Sequence, residues 1–280
     1  MRVSIPSYAK VNLGLKVLGK RGDGYHEIRS IMTQVSLWDE LEIELRGDGI
    51  ELTSTGEPAP QGPENLAYKA AEAFFKETGR PWGAAMRIKK RIPQASGLGG
   101  GSSNAAATLL ALNRLLGHPL DEGRLMEMGA ALGADVPFFI FGGPAKVGGK
   151  GERLSPVREM PRLWFLLAIP PFPVETSRVY GALNLQLTKK EDGISITNFG
   201  DRIDCLLPLL KNDLEPVVAA WHPEIGEMRR CLLSLGAVAA LMTGSGGTMM
   251  GIFDQPIRAA EAAFMLNKAP GRRSYKVHNI

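Results

Sequence analysis

Residues Arg91–Gly117 read RIPQASGLGGGSSNAAATLLALNRLLG. Four glycines and two serines fall within Gly97–Ser103, directly before an apolar run. Bare backbone at a helix start is a ready anion site. The first N–H groups have no partner inside the helix, and the helix dipole adds positive potential there. Glycine also lets a phosphate approach the main chain closely, so a side chain at Gly100 is expected to stand in the phosphate's way. The hydroxyls of Ser102 and Ser103 can cap the helix and face phosphate oxygens or magnesium. Two common patterns do not fit. The loop lacks the lysine that ends a Walker A sequence, and Ser102 stands where G-x-G-x-x-G needs its last glycine. A flexible turn between packed elements is the competing reading.

Transfer of a phosphoryl group needs neutralised phosphates, in-line positioning and an acceptor for the hydroxyl proton. Asp135, in GADVPFF, can be that acceptor, or it can cap a helix with Pro137 just inside. Lys10, in AKVNLGLKV, can be a cation that supports it, or an ordinary solvated lysine. Tyr25 and His26 follow an Asp23-Gly24 turn, where a ring pair usually marks plain surface. Thr243–Thr248, TGSGGT, lies between two apolar runs and reads at minimum as a tight hairpin.

These residues need elements to hold them. Val11, Leu13, Leu15 and Val17 alternate with Lys10, Asn12, Gly14 and Lys16, which predicts a strand with one buried face. DELEIEL alternates again. NLAYKAAEAFFKETG predicts a helix closed by Gly79, and AAMRIKK a strand leading into the glycine loop. SNAAATLLALNRLLG predicts a helix, and DEGRLMEMGAALG another, capped by Asp121 and stopped by Gly133. SPVREMPR marks a boundary between domains at 1–157 and 158–280. The second part reads strand, helices, strand, strand, helix, strand, a split βαβ pattern of the α+β class. KKEDGISITNFGDRID, 189–204, reads as polar loop.

The 280 residues are 44% hydrophobic and 22% charged, with a formal net charge of +4. That is a globular composition with a mild excess suited to an anionic ligand. No run of Lys and Arg argues for nucleic acid. Cys205 and Cys231 are far apart and form no metal or disulfide pattern. Cys231–Phe253 carries no charge, but TGSGG in its middle argues against a membrane span. The start carries no unbroken apolar signal segment, so a cytoplasmic protein is expected.

PQASGLGGGSSNAA resembles the phosphate loop of the galactokinase, homoserine kinase, mevalonate kinase and phosphomevalonate kinase (GHMP) superfamily. AKVNLGLKVLGKRGDGYHEI, ENLAYKAA, GADVPFFIFGG, NDLEP and TGSGGT occur in order across nearly the whole chain. Together they are similar to the branch that phosphorylates the 2-hydroxyl of a cytidine-diphosphate-linked methylerythritol, in the non-mevalonate route to isoprenoid precursors. The resemblance implies two domains with the active site in the cleft between them: an N-terminal half like ribosomal protein S5 domain 2 and a ferredoxin-like C-terminal half. It implies ATP and Mg2+ as cofactors, small-molecule substrates only, and a monomer or homodimer. Other members of the superfamily with small alcohol substrates, or a catalytically silent nucleotide-binding protein, are the alternatives. GDGYHE argues against the first and an intact Lys10/Asp135 pair against the second.

Carried over by position, Asp135 is the base and Lys10 the partner that orients it. Asn65, Lys90, Pro93, Gly97, Leu98, Gly99, Gly100, Gly101, Ser102 and Ser103 bind ATP. Asn12, Tyr25, His26, Thr176, Gly244, Ser245 and Gly246 bind the acceptor, with Tyr25 stacking on cytosine and His26 hydrogen-bonding its edge. Where the family often has Asp after the two serines, this chain has Asn104, and Ala95-Ser96 precede the glycines where the family often has Ala-Gly.

Overall fold

The computed structural model describes residues 1–79, 83–183, 199, 203–268 and 273–280. Most of the expected polar loop at 189–204 lies outside these residues. The chain forms two compact units, both discontinuous in sequence. Unit 1 is Met1–Ala9, Leu37–Gln94 and Gly99–Gly143; unit 2 is Lys10–Ser36, Ala95–Leu98 and Pro144–Ile280. The SPVREMPR stretch therefore falls inside unit 2 rather than between the units.

Two long strands, β1 (Arg2–Lys20) and β2 (His26–Arg46), pair with each other and contribute residues to both units. They meet at the predicted turn. Gly24 has φ +87°, the Gly24 N–H donates to Arg21 O at 3.2 Å, and the Arg21 N–H donates to Tyr25 O at 2.8 Å. β1 departs from the one-faced strand the alternation predicts. Ala9 to Leu15 are all buried, so Lys10 and Asn12 lie in the interior rather than on a wet face.

In unit 1, β4 (Gly83–Lys90) lies between β3 (Ile50–Gly56), which runs parallel to it, and the second half of β2, which runs antiparallel. Leu41 faces Ile88 and Ile43 faces Met86 across that ladder, all of them buried. Among the described residues four α-helices accompany these strands: α1 (Leu66–Thr78), α2 (Gly100–Leu115), α3 (Glu122–Leu132) and α4 (Val136–Phe141). Their ends follow the predicted chemistry. Gly79 closes α1 in the left-handed conformation, and the Asp121 side chain caps α3 by accepting the Arg124 N–H. α2 starts three residues before the predicted SNAAA, at the glycines themselves.

In unit 2, the first half of β2 pairs with β5 (Ala145–Gly148), which pairs with β6 (Arg153–Pro156). A four-stranded antiparallel sheet follows, in the order β10 (Arg273–His278), β7 (Trp164–Ile169), β9 (Met249–Phe253), β8 (Ala239–Met242). That order is the ferredoxin-like split βαβ expected from the strand and helix sequence. Among the described residues its α-helices are α5 (Thr176–Ala182), α6 (Glu215–Trp221), α7 (Glu224–Ser234) and α8 (Pro256–Asn267). Leu166, Val218, Ile225, Leu232, Met249 and Phe253 centre their common core. The uncharged run at 231–253 is the end of α7, β8, the glycine loop and β9. Among the described residues no helix is long and apolar enough to cross a membrane.

Candidate active site

The glycine loop divides between the units, and each part has its own setting. In unit 1, Gly99 takes φ +74° at the N-cap of α2, a conformation that disfavours any side chain. Gly101 is exposed and Ser102 half-buried, so the first free N–H groups of a 16-residue helix open outward. Gly100 departs from expectation. A Cβ there would lie 2.9 Å from Ile92 Cγ2 and 3.1 Å from Lys90 Nζ, on the protein side and not toward a ligand. Glycine is required at that position because the helix start rests directly on what lies beneath it.

Beneath it is a buried polar network. Asp39 is fully buried on β2 and takes four donors: Lys90 Nζ, the Arg91 N–H at 2.7 Å, the Ile92 N–H at 2.9 Å, and Asn104 Nδ2 at 3.0 Å. Lys90, also buried, gives a second bond to Asn104 Oδ1 at 3.0 Å. Asn104 Nδ2 donates to Ser7 Oγ at 2.8 Å as well, and the Ser7 hydroxyl donates to Ser103 Oγ at 2.8 Å. Asn104 thus satisfies a cation and an anion with one amide. A carboxylate there could not donate to Asp39, which gives the neutral residue a local reason. Lys90 and Ser103 support the loop from within, and Pro93 is buried.

Asn65 serves as the N-cap of α1. Its Oδ1 accepts the Ala67 N–H at 2.9 Å, and its Nδ2 donates to Pro60 O at 2.8 Å. Asp135 occupies the N-cap position of α4, yet its side chain makes no capping bond, and Pro137 sits in the first turn. The turn before it is closed by the Val136 N–H on Gly133 O at 3.1 Å. A Cβ on Gly133 would lie 3.9 Å from Ser102 Oγ, so the loop serine and the turn leading to Asp135 are neighbours in unit 1.

In unit 2, Lys10 Nζ donates to Asn12 Oδ1 at 2.7 Å, and Asn12 Nδ2 donates to Ser30 Oγ at 2.7 Å. The Ser30 hydroxyl passes on to Gly14 O at 2.6 Å. The Lys10 N–H donates to Leu98 O at 3.0 Å, which ties the strand to the first half of the glycine loop. TGSGGT closes on itself through the Thr243 N–H and Thr248 O at 2.9 Å, and its Thr243 Oγ1 accepts the Asn12 N–H at 2.7 Å. The two glycine loops touch. A Cβ on Gly246 would come within 2.2 Å of Gly97 N, and Thr248 Oγ1 donates to Ser96 O at 2.6 Å. Ala95 takes φ +55°, an unusual conformation for a residue with a Cβ, where the loop enters this contact.

The ring residues gather at the other end of the hairpin. Tyr25 is exposed, with Lys150 Nζ 4.5 Å from its ring centroid. His26 stacks on Tyr180 of α5, with centroids 5.1 Å apart and planes 29° apart. Burial, and then the charge of Lys20, push the His26 imidazole below its ordinary range, which favours the neutral ring. Thr176 opens α5 and shares a hydrogen bond with Ser245 at 2.7 Å, which brings two of the expected acceptor residues together.

Sequence reasoning missed Asp39, Ser7, Ser30, Tyr180 and the supports of the second loop. Asp39 had a signal: Leu37, Asp39, Leu41, Ile43 and Leu45 share one phase of an alternating strand, and a carboxylate in the apolar phase needs buried donors. Among the described residues no three His, Cys, Asp or Glu side chains group to hold a metal ion. The oxygens near the loop, Ser102, Ser103 and Asp135, are the hard donors magnesium takes.

Both halves of the chain match known proteins. Residues 65–143 match the family described as GHMP kinases N terminal domain, and residues 196–272 the one described as GHMP kinases C terminal. The 4-diphosphocytidyl-2-C-methyl-D-erythritol kinase of Syntrophus aciditrophicus (strain SB) is 47% identical over 269 residues, 96% of each chain. That of Geobacter sp. (strain M21) is 47% identical over 273 residues, 97% of each chain. A crystal structure of 4-(cytidine 5'-diphospho)-2C-methyl-D-erythritol kinase superposes with a TM-score of 0.85 at 34% identity, covering 99% of this chain and 100% of that one. The homoserine kinase from Cytophaga hutchinsonii shares the fold, with a TM-score of 0.74 at 17% identity over 100% of this chain and 94% of its own. With both halves matched and relatives of this identity aligned from end to end, the chain belongs to the 4-diphosphocytidyl-2-C-methyl-D-erythritol kinase family of the GHMP kinases.

Proposed function

We infer that the chain transfers the γ-phosphate of ATP to the 2-hydroxyl of 4-diphosphocytidyl-2-C-methyl-D-erythritol. Near-full-length identity to kinases bearing that substrate's name carries the reading. The stacked His26–Tyr180 rings beside Tyr25 support a nucleobase at one end of the acceptor. A family domain assignment of 1–157 and 158–280 is supported by the two family matches, each of which lies inside one of these blocks.

The residues divide the work as follows. Backbone N–H groups from Gly99 to Ser102 hold the phosphates at the start of α2, with the Asp39–Lys90–Asn104 network fixing the helix beneath them. Lys90 acts from below the loop, and Asn65 shapes the adenine side by setting the start of α1. The acceptor hydroxyl gives its proton to Asp135 as its oxygen bonds to the γ-phosphorus, and the bond to the β-phosphate bridging oxygen breaks. Lys10, oriented by Asn12, lowers the proton affinity of that hydroxyl. Ser245 and Thr176, with the Gly244 and Gly246 backbone, hold the acceptor's phosphates. Ser102, Ser103 and Asp135 are the oxygen donors that would hold magnesium beside the phosphates, where it would supply neutralisation of the charge on the transferring group.

The direct test compares phosphorylation of the cytidine-linked acceptor with that of mevalonate and homoserine, using ATP and magnesium. The cytidine-linked acceptor is expected to be the best by kcat/KM. A preference for either small alcohol would overturn the acceptor assignment and leave only the superfamily.

His26→Ala tests the base end. Acceptor binding should weaken by roughly 1–3 kcal/mol, through polar groups of the base left without partners. The Kd for ATP should not change. Because the neutral ring is the reading form, wild-type acceptor binding should also weaken as pH falls through the depressed pKa of His26. Calorimetry on both ligands checks this, and unchanged acceptor affinity in His26→Ala would remove the base-reading role.

A further inference from the structure

The NDLEP motif, Asn212–Pro216, takes no part in the reaction as described, yet most of its polar atoms are committed. Asn212 is buried. Its Nδ2 donates to two carbonyls, Met242 O at 2.7 Å and Gly244 O at 2.8 Å, while its Oδ1 accepts the Leu214 N–H at 2.9 Å. Glu215 accepts the Met242 N–H at 2.8 Å and Arg229 Nη1 at 3.1 Å. On its other side the same segment grips β1. The Leu15 N–H donates to Lys211 O at 2.8 Å, the Asp213 N–H to Leu15 O at 2.9 Å, and the Val17 N–H to Asp213 Oδ2 at 2.9 Å. β1 lies so close that a Cβ on Gly14 would fall 2.2 Å from Leu209 O, so only glycine permits this approach.

The segment therefore joins the strand that carries Lys10 and Asn12 to the mouth of the Thr243–Thr248 loop. The two sides meet again at the other end of this connection. A Cβ on Gly244 would lie 3.3 Å from both Lys10 Nζ and Asn12 Oδ1. We propose that Asn212 is a positioning residue for phosphoryl transfer, setting the Gly244 backbone against the Lys10–Asn12 pair; this rests on the reading above that Lys10 and the loop serve the transfer. The chemistry selects asparagine. Two N–H donors must reach two carbonyls, and one acceptor must face a backbone N–H, from one short planar group. Aspartate keeps the acceptor but turns the donor edge into an oxygen facing two oxygens. Serine has one donor only.

The test measures kcat, acceptor KM, ATP Kd and thermal midpoint for Asn212→Asp, Asn212→Ser and Lys10→Met. Misplacement of reacting groups by about 1 Å costs on the order of 10²-fold, so kcat should fall by that order in Asn212→Asp and less in Asn212→Ser. ATP Kd should stay at the wild-type value at temperatures where each variant is folded, which a merely structural role would not single out. If Lys10→Met loses kcat while both Asn212 variants keep it, the positioning role is overturned and the reading of the site stands. If Lys10→Met keeps kcat, the reading itself fails and the proposal falls with it. Loss of kcat and ATP affinity together in the Asn212 variants would also overturn it, since that is general damage.

Discussion

Asp135→Asn enzyme is expected to bind ATP as well as wild type and to turn over roughly 10²–10⁴-fold more slowly. That is the usual cost of losing a positioned proton acceptor. The start of α4 does not depend on the carboxylate. Asp135 stands at the N-cap of α4, but its side chain makes no cap bond, and Pro137 and the Val136–Gly133 hydrogen bond already define the turn. An isosteric amide therefore leaves the helix start intact. It also leaves Ser102 and the N–H groups at the head of α2 unchanged, which is why nucleotide affinity should hold. Single-turnover phosphorylation, with ATP Kd measured separately, checks both parts. A rate within a few-fold of wild type would mean that another group takes the hydroxyl proton.

Asp39→Asn should be the most damaging single change to stability. It removes the charge that balances Lys90 at a site where both side chains are almost completely buried. Breaking a buried pair from one side typically costs about 3–5 kcal/mol, since the remaining charge has lost its partner. For a domain of this size that is a drop in Tm of about 10 °C or more. Asp39→Leu combined with Lys90→Met should regain much of the loss, because two apolar side chains leave no charge behind. Asn104 and two backbone N–H groups would still lack their carboxylate, so recovery stays incomplete. Thermal unfolding of the three proteins checks this, and a single variant as stable as wild type would show that water or another group reaches Lys90.

Local features of this chain were legible in the sequence because their causes are local. The Asp23-Gly24 turn, the Gly79 stop, the Asp121 cap and the strand–glycine–helix order each depend on a few adjacent residues. The split βαβ pattern of the second part followed from element order, and its ferredoxin-like form from the family resemblance. What could not be read depends on what packs where. Alternation in β1 marks one apolar face, but nothing in it says that the other face is covered as well, so Lys10 and Asn12 read as surface. Gly100 reads as space for a ligand, and only the position of Ile92 and Lys90 shows that the space is filled from inside. The role of Asn212 could not be read, since its three partners span residues 214 to 244. Asp39 lies between these cases. Its phase among leucines was visible, while its partners at 90–92 and 104 were not.

The division of the chain between its units has a consequence for how the protein is made. All of unit 1 is encoded within the first 143 residues, so it can close while the rest is still being translated. Lys10–Ser36 and Ala95–Leu98 emerge in the same stretch but belong to unit 2, whose other residues begin at Pro144. At about 5–20 residues per second, synthesis of residues 144–280 takes roughly 7–30 s. For that interval β1 from Lys10 onward and the first half of β2 wait without β5, the segment around Asn212 or the TGSGGT loop. These strands are rich in apolar side chains destined for the interior, and they stay open to wrong partners until the ribosome delivers the right ones. The nascent chain is therefore most exposed to aggregation in its oldest part, and a chaperone that recognises extended apolar strands would find its target near the N-terminus.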